Sequence, residues 1–139
     1  MRSFVLAFIV AALLTPAIAS ASSACADPSI VSASQTSVQR EGALNVYTTA
    51  IVVKNLGSLG QAPSLLQSVE VFQDATKVGQ IGLRPLAPGG SQTVSYRLER
   101  SAGGRTGSTR LRFVLVMHDP HGVPITNCST ANDVYRLSV

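Results

Sequence analysis

From Pro28 to Val139 the chain alternates short runs of β-branched and other apolar residues with clusters rich in Gly, Pro, Asp, Asn and Ser. That is the pattern of strands separated by turns. The runs predict seven strands: Ser29 to Ser34, Leu44 to Asn55, Ser68 to Gln73, Lys77 to Leu83, Gln92 to Arg100, Thr109 to His118 and Asp133 to Val139. Between them stand Arg40-Glu41-Gly42, Leu56-Gly57-Ser58-Leu59-Gly60, Asp74-Ala75-Thr76, Ala87-Pro88-Gly89-Gly90, Ala102-Gly103-Gly104 and Asp119-Pro120-His121-Gly122, each able to reverse the chain. No segment repeats its apolar residues at helical spacing. The pattern predicts an all-β domain over residues 29–139, an Ig-like seven-stranded antiparallel β-sandwich.

Successive strand side chains point to opposite faces. With Arg110 and Arg112 outward, Leu111, Phe113, Leu115 and Met117 face inward, and by the same logic so do Val94, Tyr96 and Leu98. Tyr47, Thr49, Ile51 and Val53 are assigned to the core, completed by Val69, Val71, Ile81, Leu83, Leu86, Tyr135 and Leu137. Two sheets are needed to bury such a set. The chain has no Trp and no cysteine pair at the antibody spacing, which argues against an antibody-type domain.

The start of the chain follows another pattern. Met1-Arg2-Ser3 carries one positive charge, Phe4 to Leu14 is unbroken apolar sequence, and Thr15-Pro16-Ala17-Ile18-Ala19-Ser20-Ala21 offers small-x-small cleavage sites. Residues 1–21 read as a signal peptide, too short and proline-broken for a membrane span. Residues 22–28 then form a flexible N-terminal segment. The mature chain has no transmembrane segment and is expected to be exported, to the periplasm or the extracellular space.

Cys25 and Cys128 are the only cysteines. A disulfide between them suits an exported small domain and is the preferred reading. Two free thiols and a lipidated Cys25 remain as alternatives, although Ser22-Ser23-Ala24 matches a lipoprotein box only in its last two positions.

At 139 residues, with 45% hydrophobic and 13% charged residues, the chain has the size and composition of one folded domain rather than a disordered tail. Two His, two Cys and seven acidic residues leave little material for catalysis, and no nucleophile elbow is present. The expectation is a non-enzyme without cofactor. Met117, His118 and His121 are the one soft-ligand cluster and support, as an alternative, a small periplasmic copper or zinc protein. Strand alternation separates Met117 from His118, however, and a site needs three or four ligands. Asn127-Cys128-Ser129 matches a glycosylation sequon, a pattern frequent by chance.

The formal net charge is +4. Arg97, Arg100, Arg105, Arg110 and Arg112 fall on the fifth and sixth predicted strands and the Gly-rich loop Ser101 to Ser108 between them. Paired as a hairpin, those strands would gather the arginines into one ligand-binding face for carboxylates or phosphates. The partner would be an envelope protein or an anionic polysaccharide. A solvated face that maintains solubility accounts for the same charges. Nucleic acid is disfavoured by export and by an aromatic content of 5%, which leaves few rings for base stacking.

Four segments carry a family resemblance: Val52-Val53-Lys54-Asn55-Leu56-Gly57, Ser68-Val69-Glu70-Val71-Phe72-Gln73-Asp74, Leu86-Ala87-Pro88-Gly89-Gly90-Ser91 and Val116-Met117-His118-Asp119-Pro120. In this order they resemble the cell-adhesion-related domain found in bacteria, CARDB. That family's pattern has V-x-N-x-G at a strand end, a strand ending in an acidic turn, L-x-P-G, and D-P followed by a closing acidic residue and an asparagine pair. Asn127 and Asn132-Asp133 are the counterparts of the closing residues, and Cys128 is foreign to the pattern. The resemblance covers Ser29 to Val139. It implies a sandwich similar to immunoglobulin and fibronectin type III domains, used in envelope or extracellular proteins for adhesion or ligand contact. An envelope structural subunit that exchanges strands between copies is a further alternative.

Overall fold

The computed structural model describes residues 24–104 and 107–139. Residues 1–21, expected to be a signal peptide, and Arg105 lie outside the described residues. Seven strands follow in chain order: β1 (Pro28–Glu41), β2 (Leu44–Asn55), β3 (Leu66–Gln73), β4 (Thr76–Leu83), β5 (Ser91–Ser101), β6 (Arg110–His118) and β7 (Val134–Ser138). A 3-10 turn, Thr130–Asn132, precedes β7. The strands form two antiparallel sheets, one ordered β1-β2-β5 and the other β4-β3-β6-β7.

The expected strands form, and six of the seven keep their expected limits to within two residues. The exception is β1, expected to stop at Ser34, which pairs with β2 as far as Glu41↔Leu44. Register shifts between Ile30 and Ser32 and between Gln35 and Ser37 interrupt its period-two pattern, as a bulge does. Past them both faces are exposed and mostly polar, so only the backbone ladder marks the strand. Gly42, at φ 60°, supplies the left-handed residue of the tight turn into β2.

The faces follow the alternation. Leu111, Phe113, Leu115 and Met117 are buried, as are Ile51, Val53, Val69, Val71 and Leu98. Tyr47, Val94, Tyr96, Ile81, Tyr135 and Leu137 pack around them. Each fully buried large apolar side chain contributes roughly 1.5–3 kcal/mol.

The expected β5–β6 hairpin does not form. β5 pairs with β2, and β6 lies between β3 and β7 in the opposite sheet. The physical reason is that the apolar faces of both strands are satisfied by meeting across the interior, with the Tyr96 ring against Phe113. Neighbours in sequence therefore become facing layers, as in other Greek-key sandwiches.

One end of the sandwich is organised by Asn55, which is wholly buried. Its Oδ1 accepts from the backbone N–H groups of Asp27 (2.9 Å) and Gly57 (3.0 Å), and its Nδ2 donates to the carbonyls of Leu59 (2.8 Å) and Leu86 (3.2 Å). Of the segment expected to be flexible, residues 25–28 are therefore anchored. Leu56 N–H donates to Asp27 O (2.8 Å), Leu59 N–H to Cys25 O (3.1 Å) and Cys128 N–H to Ala26 O (3.3 Å). The Cys25–Cys128 disulfide, with Cα atoms 5.9 Å apart, closes the arrangement.

Candidate functional site

The register of the four-stranded sheet builds a basic face. Arg112 on β6 stands opposite Phe72 on β3 and Arg136 on β7, while Arg110 stands opposite Ser138. Residues two apart on a strand share a face, and directly opposed residues are neighbours on it, so Arg110, Arg112 and Arg136 project together. They line an open cleft of about 510 Å³ with Asp74 and Ser138. The Arg112 guanidinium lies 4.2 Å from the centroid of the Phe72 ring, a cation–π contact that holds its planar fork in place. Asp74, at φ 54° in the turn after β3, donates its N–H to Arg110 O at 3.1 Å. Among the described residues the ion pairs are Lys77–Glu70, Arg97–Glu41 and Arg97–Glu99, so no carboxylate pairs with the three cleft arginines. Like charges opposed across a sheet are destabilising by themselves. An anion in the cleft would reverse that cost.

The other arginines expected at this surface are placed elsewhere. Arg97 projects from the three-stranded sheet, where Glu41 (2.6 Å) and Glu99 (3.1 Å) pair with it and push its pKa up, the Glu41 hydrogen bond contributing most. Arg100 shares the inward phase of Tyr96 and Leu98. At the open end of the sandwich its guanidinium sits 5.6 Å from the Tyr47 ring centroid and donates to Val139 O (3.3 Å) and Gly107 O. The outward orientation expected of Arg100 is thus overturned by its even spacing from Leu98.

A second polar constellation joins the N-terminal segment to the loop before β7. Asn132 Nδ2 donates to Asp27 Oδ2 at 3.2 Å, and Asn127 Nδ2 donates to Asp133 Oδ1 at 2.7 Å and Pro28 O at 3.2 Å. Three of its oxygens, Asp27 Oδ1, Asn127 Oδ1 and Asn132 Oδ1, are shut off from solvent and accept nothing from the protein. Each such orphan costs about 1–3 kcal/mol. Burial pushes the pKa of Asp133 up, Asn127 opposes the shift by hydrogen bonding, and the negative charge of Asp27 adds to it.

No family model matches the chain, and no curated protein is significantly similar to it in sequence. Among solved structures, the CARDB domain of the PF1109 protein from Pyrococcus furiosus, determined in complex with di-metal ions, is similar with a TM-score of 0.57 and 17% identity, covering 83% of this chain and 87% of that one. The chain has the fold of a CARDB domain. The Asn55-Leu56-Gly57 motif of this CARDB-type sandwich is accounted for by packing. Asn55 is the four-bond hub described above, and a Cβ on Gly57 would overlap the Cys25 carbonyl and lie 2.5 Å from Asp27 N.

Of the soft-ligand cluster, Met117 points inward with its sulfur 3.6 Å from Gln61 Nε2. His118 lies on the other face beside Leu66, Gln80 and Gly122. His121 is exposed in a turn, where its backbone N–H donates to Asp119 Oδ1 at 2.8 Å. Among the described residues no three His, Cys, Asp or Glu side chains converge as a metal-binding group. Two features escaped the sequence reading. Arg136 completes the basic face of the CARDB-type sandwich, and its outward direction was readable from inward Tyr135 and Leu137. Asp27 completes the polar constellation and carried no signal, because its partner Asn132 is 105 positions away.

Proposed function

We propose that this chain is an exported, non-catalytic, adhesion-related binding module of a bacterial cell envelope that holds an anionic polysaccharide on the face formed by Arg110, Arg112 and Arg136. The observation that carries the reading is this trio around an open cleft, none of them paired to a carboxylate among the described residues. Arginine forks match carboxylate and sulfate groups two bonds at a time. An extended chain of sugars supplies such groups at intervals suited to a strip of side chains along a sheet. Export is supported by the signal-like residues 1–21 and by the Cys25–Cys128 disulfide, a bond that persists in oxidising compartments.

The test is binding of the processed protein to immobilised polygalacturonate, with neutral dextran as control, over a salt series. Binding to the polyanion alone, weakening as salt rises, is expected. Charge-assisted hydrogen bonds contribute about 1.5–3 kcal/mol each, so the triple variant Arg110→Gln, Arg112→Gln, Arg136→Gln should bind at least about tenfold more weakly. Arg97→Gln, already neutralised by two glutamates, should leave affinity unchanged. Equal binding by the triple variant, or no binding to the polyanion, overturns the assignment.

A further inference from the structure

We infer that Asp27, Asn127, Asn132 and Asp133 form a binding site for one calcium-class divalent cation. The four side chains come from two segments brought together by the disulfide and by the Cys128 N–H bond to Ala26 O. Within the group both asparagines turn their amide nitrogens onto the carboxylates, Asn132 to Asp27 and Asn127 to Asp133. That leaves both amide oxygens, with Asp27 Oδ1, as solvent-inaccessible acceptors for which the protein provides no donor. Buried polar atoms are nearly always partnered. The orphans belong to two hydrogen-bonded pairs, Asp27–Asn132 and Asn127–Asp133, set side by side where Asn127 also donates to the carbonyl of Pro28; all three are oxygens and call for a positive species rather than for another acceptor.

The chemistry of the donors selects the cation. Two carboxylates give the group a charge of −2, and no Lys or Arg among the described residues pairs with either. The ligands are all hard oxygens. Both cysteine sulfurs are consumed in the disulfide, and His118 and His121 lie on the strand β6 and the turn that follows it, outside this hydrogen-bonded group. Zinc and copper would therefore lack their usual ligands. Mixed carboxylate and amide oxygens, supplemented by a backbone carbonyl such as that of Pro28 and by water, suit the six to eight flexible positions of calcium better than the strict octahedron of magnesium. A cation here would cross-link the N-terminal segment to the entry of β7.

Equilibrium dialysis and calorimetry on the oxidised, processed protein after chelator treatment test the site without any variant. One calcium per chain is expected, at the affinity of extracellular modules, about 0.1–1 mM, with a higher Tm in calcium than in chelator. Asp27→Asn and Asp133→Asn should each weaken calcium binding at least tenfold, whereas Asp119→Asn, in the turn after β6, should not. The assignment is overturned by any of three results: no stoichiometric calcium binding by the unmodified protein, magnesium or zinc bound more tightly than calcium, or calcium affinity retained in folded Asp27→Asn and Asp133→Asn proteins.

Discussion

Tyr96 and Phe113 meet edge to face across the sandwich, their ring centroids 6.5 Å apart and their planes at 72°. The two rings come from β5 and β6, consecutive in the chain and opposite in space, so this contact joins the two sheets. Phe113 is wholly buried. Phe113→Ala is expected to destabilise the domain by about 3–5 kcal/mol in urea unfolding, the usual cost of removing a buried ring. Val123→Ala, at a site 57% exposed, should stay within roughly 0.5 kcal/mol.

The Tyr96 phenol also titrates late, because burial raises its pKa above the ordinary value of 10.0. The folded protein holds this proton to higher pH than the unfolded chain does. The associated stability is complete below about pH 10 and is lost as pH rises through the folded-state value. Tyrosinate absorbance should show a late-titrating component that Tyr96→Phe removes. Tyr96→Phe should flatten the alkaline loss of unfolding free energy seen in the unsubstituted protein.

Asn55→Ala removes four hydrogen bonds at one buried position and leaves Asp27 N–H, Gly57 N–H, Leu59 O and Leu86 O to find other partners. A loss of about 3–5 kcal/mol is expected, combining several orphaned groups at roughly 1 kcal/mol or more each. Gly57→Ala should displace the N-terminal segment, since its Cβ has no room beside Cys25 and Asp27. A cost of about 1–3 kcal/mol in denaturant unfolding would match overpacking of this kind.

Reduction of the Cys25–Cys128 bond, which spans 103 positions, should lower the unfolding free energy by about 2–4 kcal/mol. Cys128→Ser should reproduce the loss without reductant. Peptide mapping of the unreduced protein should recover the two cysteines in one cross-linked fragment.

Much of the fold was readable because its strands bury one face against a partner sheet. Leu111, Phe113 and Leu115 alternate with Arg112, Val114 and Val116, and the sheet obeys that rhythm. Two things were not readable for physical reasons. The far half of β1 buries nothing and carries phase-shifting bulges, so hydrogen bonding alone defines it. The partners of β5 were hidden because an inward apolar face is equally satisfied by a neighbour in its own sheet or by a layer across the core. The candidate surface suffered from that second ambiguity. Arg110 and Arg112 were identified as outward, but their companion Arg136 depends on the β6–β7 register, and Arg97 belongs to the other sheet.

The disulfide has a mechanical consequence. Tension applied between the two ends of the folded chain would enter at Cys25 and pass through a covalent bond directly to Cys128. Strands β1 to β6, all lying between the cysteines, would bear no load. Only the residues after Cys128 would yield, and they extend by at most about 3.3–3.6 Å each. Under such a load the first give falls at β7, which carries Arg136, while the body of the sandwich stays folded at forces that would unravel an uncross-linked domain.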